Sequence, residues 1–216
     1  MGFTVWAGLS GFGFVLLAVG INVVYVRGRL PLPVSPHGFD AVAESFAAVG
    51  EALKRPSVAA PAGWACVTIF AAGMLSVLWD GGSGTQAWAL VGFAGVLMQN
   101  ATFTVVEALR FGMAEAATRN RDALAGLWSL SNVLFGFNQV FLALALVGFT
   151  AAGSSTGFLP GWHTVLGYIS AALLFASASI SPYNATGTHK AAPIGFVGWL
   201  GWAAWIVASS IALLRQ

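Results

Sequence analysis

The chain has 216 residues, of which 58% are aliphatic, aromatic or cysteine and only 7% charged, with a mean hydropathy of +0.82. A soluble domain carries about a quarter charged residues, so this composition excludes a soluble enzyme, a nucleic-acid reader and a disordered chain. The net charge of +2 says little until the charges are placed along the chain.

A helix crossing about 30 Å of hydrocarbon needs about 20 apolar residues. Six stretches qualify: residues 5–26, 59–79, 87–109, 126–149, 161–180 and 194–214. They are continuously apolar rather than alternating, which selects helices over barrel strands. The predicted fold is an all-α, polytopic membrane bundle of six transmembrane helices.

The first span has no Lys or Arg ahead of it, unlike a cleavable signal, and Trp6 stands where a myristoylation motif wants Ser or Thr. The whole chain is therefore read as mature protein. Glycines from Gly13 to Gly20 predict a close helix contact on this span, as Ala172 and Ala176 do on the fifth. In the segment that follows, Ser35-Pro36 is a helix start and Pro56 a stop. Between them Phe39, Val42, Phe46, Val49 and Leu53 recur at 3,4,3,4 spacing, with Asp40, Glu44, Glu51 and Lys54 on other faces. This predicts a cytoplasmic amphipathic helix over about 36–54, either on the membrane surface or docked on the bundle, and its acidic face favours docking. The second span holds the lone cysteine, Cys66, which excludes an intramolecular disulfide and a thiolate metal cluster.

Polar residues deep in a span must be paired or wetted. The third span carries Gln99 and Asn100 near its midpoint, then Thr104 and Glu107 at i+4 and i+7 from Asn100. After a charged loop the fourth span carries Asn132 in its first half and Asn138 and Gln139 near its midpoint. Two readings follow. The four central amides hold the third and fourth spans together, or they close a wedge-shaped cavity open to the cytoplasm and lined by Asn100, Thr104, Glu107 and Asn132. Glu107 is either an interfacial carboxylate paired with Arg110 at i, i+3, or a proton-accepting or cation-binding group.

In the fifth span His163 sits at the outer end, and His37 and His189 fall in loops, so no histidine is placed mid-span to hold a haem or a metal. Lys54 and Lys190 lie outside the spans, which disfavours retinal. Asn184-Ala185-Thr186 has the glycosylation pattern but falls in a cytoplasmic loop and is discounted. In the sixth span Trp199, Trp202 and Trp205 recur every third residue beside Gly195, Gly198 and Gly201. Aromatic packing on a neighbouring helix is the favoured reading; the rival is the wall of a pocket for an apolar ring.

Eight of the nine basic residues follow the first, third and fifth spans, and only Arg215 lies on the other side. The positive-inside rule then puts the charged loops in the cytoplasm and both termini outside.

The stretch Gly157-Phe158-Leu159-Pro160-Gly161-Trp162, followed by Leu166-Gly167 opening an apolar helix, resembles a bacterial membrane family known as a domain of unknown function, numbered 4386. The likeness extends loosely to residues 127–148 and to the order of spans. It implies a short outer loop before the next helix and a small prokaryotic inner-membrane bundle, and it transfers no site residue.

The residues lead to a multi-pass protein of the cell membrane acting as an accessory subunit or binding an apolar ligand. Its expected partners are membrane lipid, an apolar small molecule, and a partner membrane subunit or a second copy. No catalytic residue, metal or cofactor is assigned. The alternatives are a small transporter or proton-coupled permease, and a membrane-embedded enzyme on a lipid or terpenoid. An enzyme lacks the second group that acid–base chemistry needs, and a permease lacks broken helices or inverted repeats.

Overall fold

A computed structural model describes residues 2–28, 38–190 and 192–216, and among them every element is helical. The helices are α1 (Phe3–Arg27), α2 (Phe39–Val49), α3 (Lys54–Ser57), α4 (Ala60–Leu78), α5 (Ser83–Arg119), α6 (Arg121–Ser155), α7 (Gly161–Ile180) and α8 (Ala192–Leu214). Six segments are long and apolar enough to cross a membrane, with α3 running into α4 to make one of them. Each long helix packs on its neighbours in sequence, and α1 also packs on α8, so the six close into a ring.

Small residues set how closely the ring closes, because lipid tails offer no hydrophobic drive between helices and contact area must come from backbone approach. The tightest seam joins α5 to α6. A Cβ on Gly95 would stand 2.6 Å from Ala145 N, and one on Gly148 would stand 2.6 Å from Trp88 O and collide with Gly92. On α1 the close residues are Ala7, Gly8 and Gly11, which meet Gly73, Phe70 and the last turns of α8. The expected contact over Gly13 to Gly20 is thus displaced toward the N-terminus: Gly13 only reaches Cys66, and nothing lies within 4 Å of a Cβ on Gly20. Ala172 and Ala176 are exposed, and α7 instead meets α8 where Gly198 and Gly201 receive Leu174 and Ser170.

The largest departure from the apolar pattern is at the charged end. The predicted loop between the third and fourth spans is helical except for Asn120. With 37 and 35 residues, α5 and α6 are each more than about 50 Å long, well beyond about 30 Å of hydrocarbon. A hairpin of that length would project beyond such a layer. Hydropathy marks where a helix is apolar, not where it ends. Beyond Leu109, the helix formers Ala114, Ala116 and Ala117 and the Glu115–Arg119 pair at 2.8 Å sustain it. Asn120 then restarts the chain: its Oδ1 accepts from the N–H groups of Asp122 and Ala123, a helix N-cap.

Against this projecting hairpin lies α2. Val42, Phe46 and Leu53 are buried together with Tyr25, Met113, Leu124 and Trp128, forming a second core separate from that of the ring. The amphipathic helix is therefore docked on protein. It ends at Val49, passes through a 3-10 turn over Gly50–Leu53 and resumes as α3, so Pro56 sits buried inside a helical turn and does not stop the segment. The predicted start at Ser35-Pro36 lies outside the described residues, as do Arg29 and His37. At the opposite end, residues 156–160 make a short turn in which Leu159 N donates to Gly153 O and Pro160 precedes α7.

Candidate functional site

Glu107 is buried on the face of α5 that looks toward α1 and α3. Tyr25 of α1 donates its hydroxyl to Glu107 Oε1 over 3.3 Å, and Ser57 of α3 donates to the same oxygen. Arg110, one turn further along α5, places Nε 3.4 Å from Oε2, and its guanidinium lies 4.2 Å from the centroid of the Tyr25 ring. Tyr25 is 1% exposed, and Glu107 and Arg110 are each 7% exposed. Two charges removed from water stay together only if every lone pair and proton finds a partner. Here the carboxylate has a cation and two hydroxyl donors, and the cation has an aromatic face. The i, i+3 pair expected from sequence is present, buried rather than interfacial. Tyr25 and Ser57 were not legible as its partners, since they come from elements 82 and 50 residues away; the one signal was a tyrosine in the last turns of the first span.

The four central amides do not hydrogen-bond to one another among the described residues. Asn100 turns to α4, where Nδ2 donates to Thr68 Oγ1 at 3.0 Å and reaches Trp64 O at 3.3 Å. Gln139 presses toward α7 and α8: a Cβ on Gly195 would meet its amide group and lie 2.5 Å from Ser177 Oγ. Gln99 and Asn138 are buried. This corrects the expectation of amide pairing between the third and fourth spans. Adjacent residues on a helix point about 100° apart, so Gln99 with Asn100, or Asn138 with Gln139, cannot both face one seam. That seam already belongs to Gly92, Gly95 and Gly148. The side-chain oxygens of Gln99, Asn100, Asn132, Asn138 and Gln139 have no hydrogen-bond partner among the described residues.

The residues expected to line a wedge face four directions. Asn100 faces α4, Glu107 faces α1 and α3, and Thr104 is exposed with its hydroxyl bonded to Asn100 O on its own helix. Asn132 Nδ2 donates to Ala185 O, and Trp128 Nε1 to Thr186 O, so the segment after α7 is fastened over the start of α6. Gly187 follows at φ 81°, a left-handed conformation that L side chains rarely adopt, and a Cβ there would be 3.0 Å from the Trp128 ring. These side chains share no common space.

The tryptophans of α8 point inward to different extents. Trp202 meets Phe14 edge-on at 5.2 Å, and Trp205 lies among Phe70, Phe149 and His163 at 6.5, 6.4 and 5.2 Å. Trp199 is half-buried and stacks on Phe196 at 6.3 Å. His163 lies in the first turn of α7, at the end of the span where sequence placed it, and is 1% exposed, with Nε2 donating to Trp205 O at 3.1 Å and 3.4 Å from Ser209 Oγ. The signal was the stripe His163, Gly167, Ser170, Ala171, Leu174, Ala178, the buried face of α7. Among the described residues no three His, Cys, Asp or Glu side chains converge.

No known protein family, curated protein or solved structure matches this chain.

Proposed function

We propose that this chain is an accessory membrane subunit, a bundle that works by association rather than by chemistry of its own. The observation that carries the reading is the use made of its best chemical groups. Trp202, Trp205 and His163 fill the centre of the ring, and Glu107 is charge-compensated by Arg110, Tyr25 and Ser57 of the same chain. Groups spent on internal packing are unavailable to a substrate. What the chain offers outward is a lipid-facing wall and a folded head of α2 on the α5–α6 hairpin, with Glu44, Glu115, Arg119 and Asp122 exposed. Arg27, Lys54, Arg55, Arg119, Arg121 and Lys190 lie at that end, and the positive-inside rule supports a cytoplasmic head with both termini outside. The bundle fits a prokaryotic inner membrane, as its resemblance at 157–162 implies.

Transport is the second reading, favoured by the five buried amide oxygens that have no donor among the described residues, since such acceptors suit a hydrated path. One experiment separates the two. Mild extraction from native membranes, followed by sizing and mass spectrometry, should show the chain in a stoichiometric assembly that Trp199→Ala, on the half-buried outer ring of α8, leaves folded. The accessory reading fails if the chain purifies alone and, in vesicles, drives proton-coupled uptake that Glu107→Gln abolishes.

A further inference from the structure

Helix α1 is buried near its two ends and more exposed between them. Its buried residues are Ala7, Gly8, Gly11 and Phe14, then none until Tyr25. Between them one face of the helix and the α3–α4 segment flank a groove of about 450 Å³. Leu16, Gly20 and Val24 form one wall, Pro56 and Ala59 the other, and Arg55 stands at the charged end. Gly20 has open space where a side chain would project. The groove follows about 12 Å of α1 from Val24 to Leu16, parallel to the direction an acyl chain takes from the interface.

Charge decides the occupant. Three arginines at this end are matched by a carboxylate: Arg110 by Glu107, Arg119 by Glu115 and Arg121 by Asp40. Among the described residues Arg55 is exposed and joined to no carboxylate, and Arg27, one turn beyond Val24, is likewise exposed and unmatched. An apolar slot with a cationic mouth at the interface complements a molecule with an anionic head and an aliphatic tail. Basic pockets between transmembrane helices on the cytoplasmic side are suited to such head groups.

We propose that the groove between α1 and α3–α4 is a binding site for an anionic phospholipid, with its phosphate on Arg55 and an acyl chain over Gly20. The full chain in detergent, offered equal amounts of phosphatidylglycerol and phosphatidylcholine with matched acyl chains, tests this by native mass spectrometry. Phosphatidylglycerol should be retained about fivefold more than phosphatidylcholine, the size expected of one arginine at an anionic surface. Arg55→Gln should bring the ratio close to one. Gly20→Leu puts bulk into the slot at a position where a Cβ meets nothing within 4 Å, so it should lower retention of both lipids while the thermal midpoint stays unchanged. Equal retention of the two lipids by the natural chain, a preference that survives Arg55→Gln, or full retention by Gly20→Leu would each overturn the proposal.

Discussion

The ring of spans and the head of α2 on the α5–α6 hairpin are two cores built by different physics in one chain. In the ring, contact comes from small residues that let backbones touch, as at Gly95 against Ala145, with a few large rings filling the centre. In the head the buried set is Tyr25, Val42, Ala43, Phe46, Leu53, Met113, Ala116, Leu124 and Trp128, mostly large side chains as in a soluble core. On the membrane reading proposed above, the difference follows from solvent. Water drives apolar side chains together and rewards size, whereas lipid rewards only close fit. Between the two cores along α5 sits the Glu107–Arg110 pair, buried against Tyr25 and Ser57.

The contrast can be broken in three places, taken from the largest effect to the smallest. Gly148→Leu should do the most harm, since even its Cβ meets the backbone of α5; overpacking usually costs about 1–3 kcal/mol, and a seam of backbone contacts has no side chain to yield. Size-exclusion chromatography after extraction should show little folded protein. A normal monodisperse peak would show that the seam is not what closes the ring.

Next comes the junction. Glu107→Leu strands Arg110 and should cost about 3–5 kcal/mol, whereas Glu107→Leu with Arg110→Leu should recover most of that loss, because a buried pair replaced as a unit loses little. Denaturation of the three proteins in mixed micelles checks the ordering. Equal stability of the single and double variants would mean the pair is wet.

The smallest effect belongs to the head's surface. Asp40→Asn removes the ion pair with Arg121 between groups that are 85% and 59% exposed, a contact worth under about 1 kcal/mol and screened by salt. Protection of α2 amides from hydrogen exchange should fall slightly, while the ring is unaffected. A loss of protection reaching α7 would join the two cores into one cooperative unit.

How much of this was legible depends on range. The six spans follow from runs of apolar residues, and the docked face of α2 from its 3,4,3,4 spacing, because both patterns are local. The extension of α5 through Arg119 was legible only in the alanines after Leu109, which an apolar count overlooks. Of the partners of Glu107, Arg110 was legible from its i, i+3 spacing, but Tyr25 and Ser57 were not: they reach the carboxylate only through the folding of three elements, and nothing local marks Ser57 for that role. The amides show the same limit from the other side. Depth put Gln99, Asn100, Asn138 and Gln139 at one level, but helical rotation turned Asn100 to α4 and Gln139 to α7 and α8.

The sequence by itself determined that the chain is a bundle of six apolar helices with its basic residues gathered at one end, because hydrocarbon tolerates no unpaired backbone and few charges. Only the tertiary structure decided which faces of those helices meet. Rotation about a helix axis is set by how small residues let neighbours approach, a property of pairs of helices that no single segment contains.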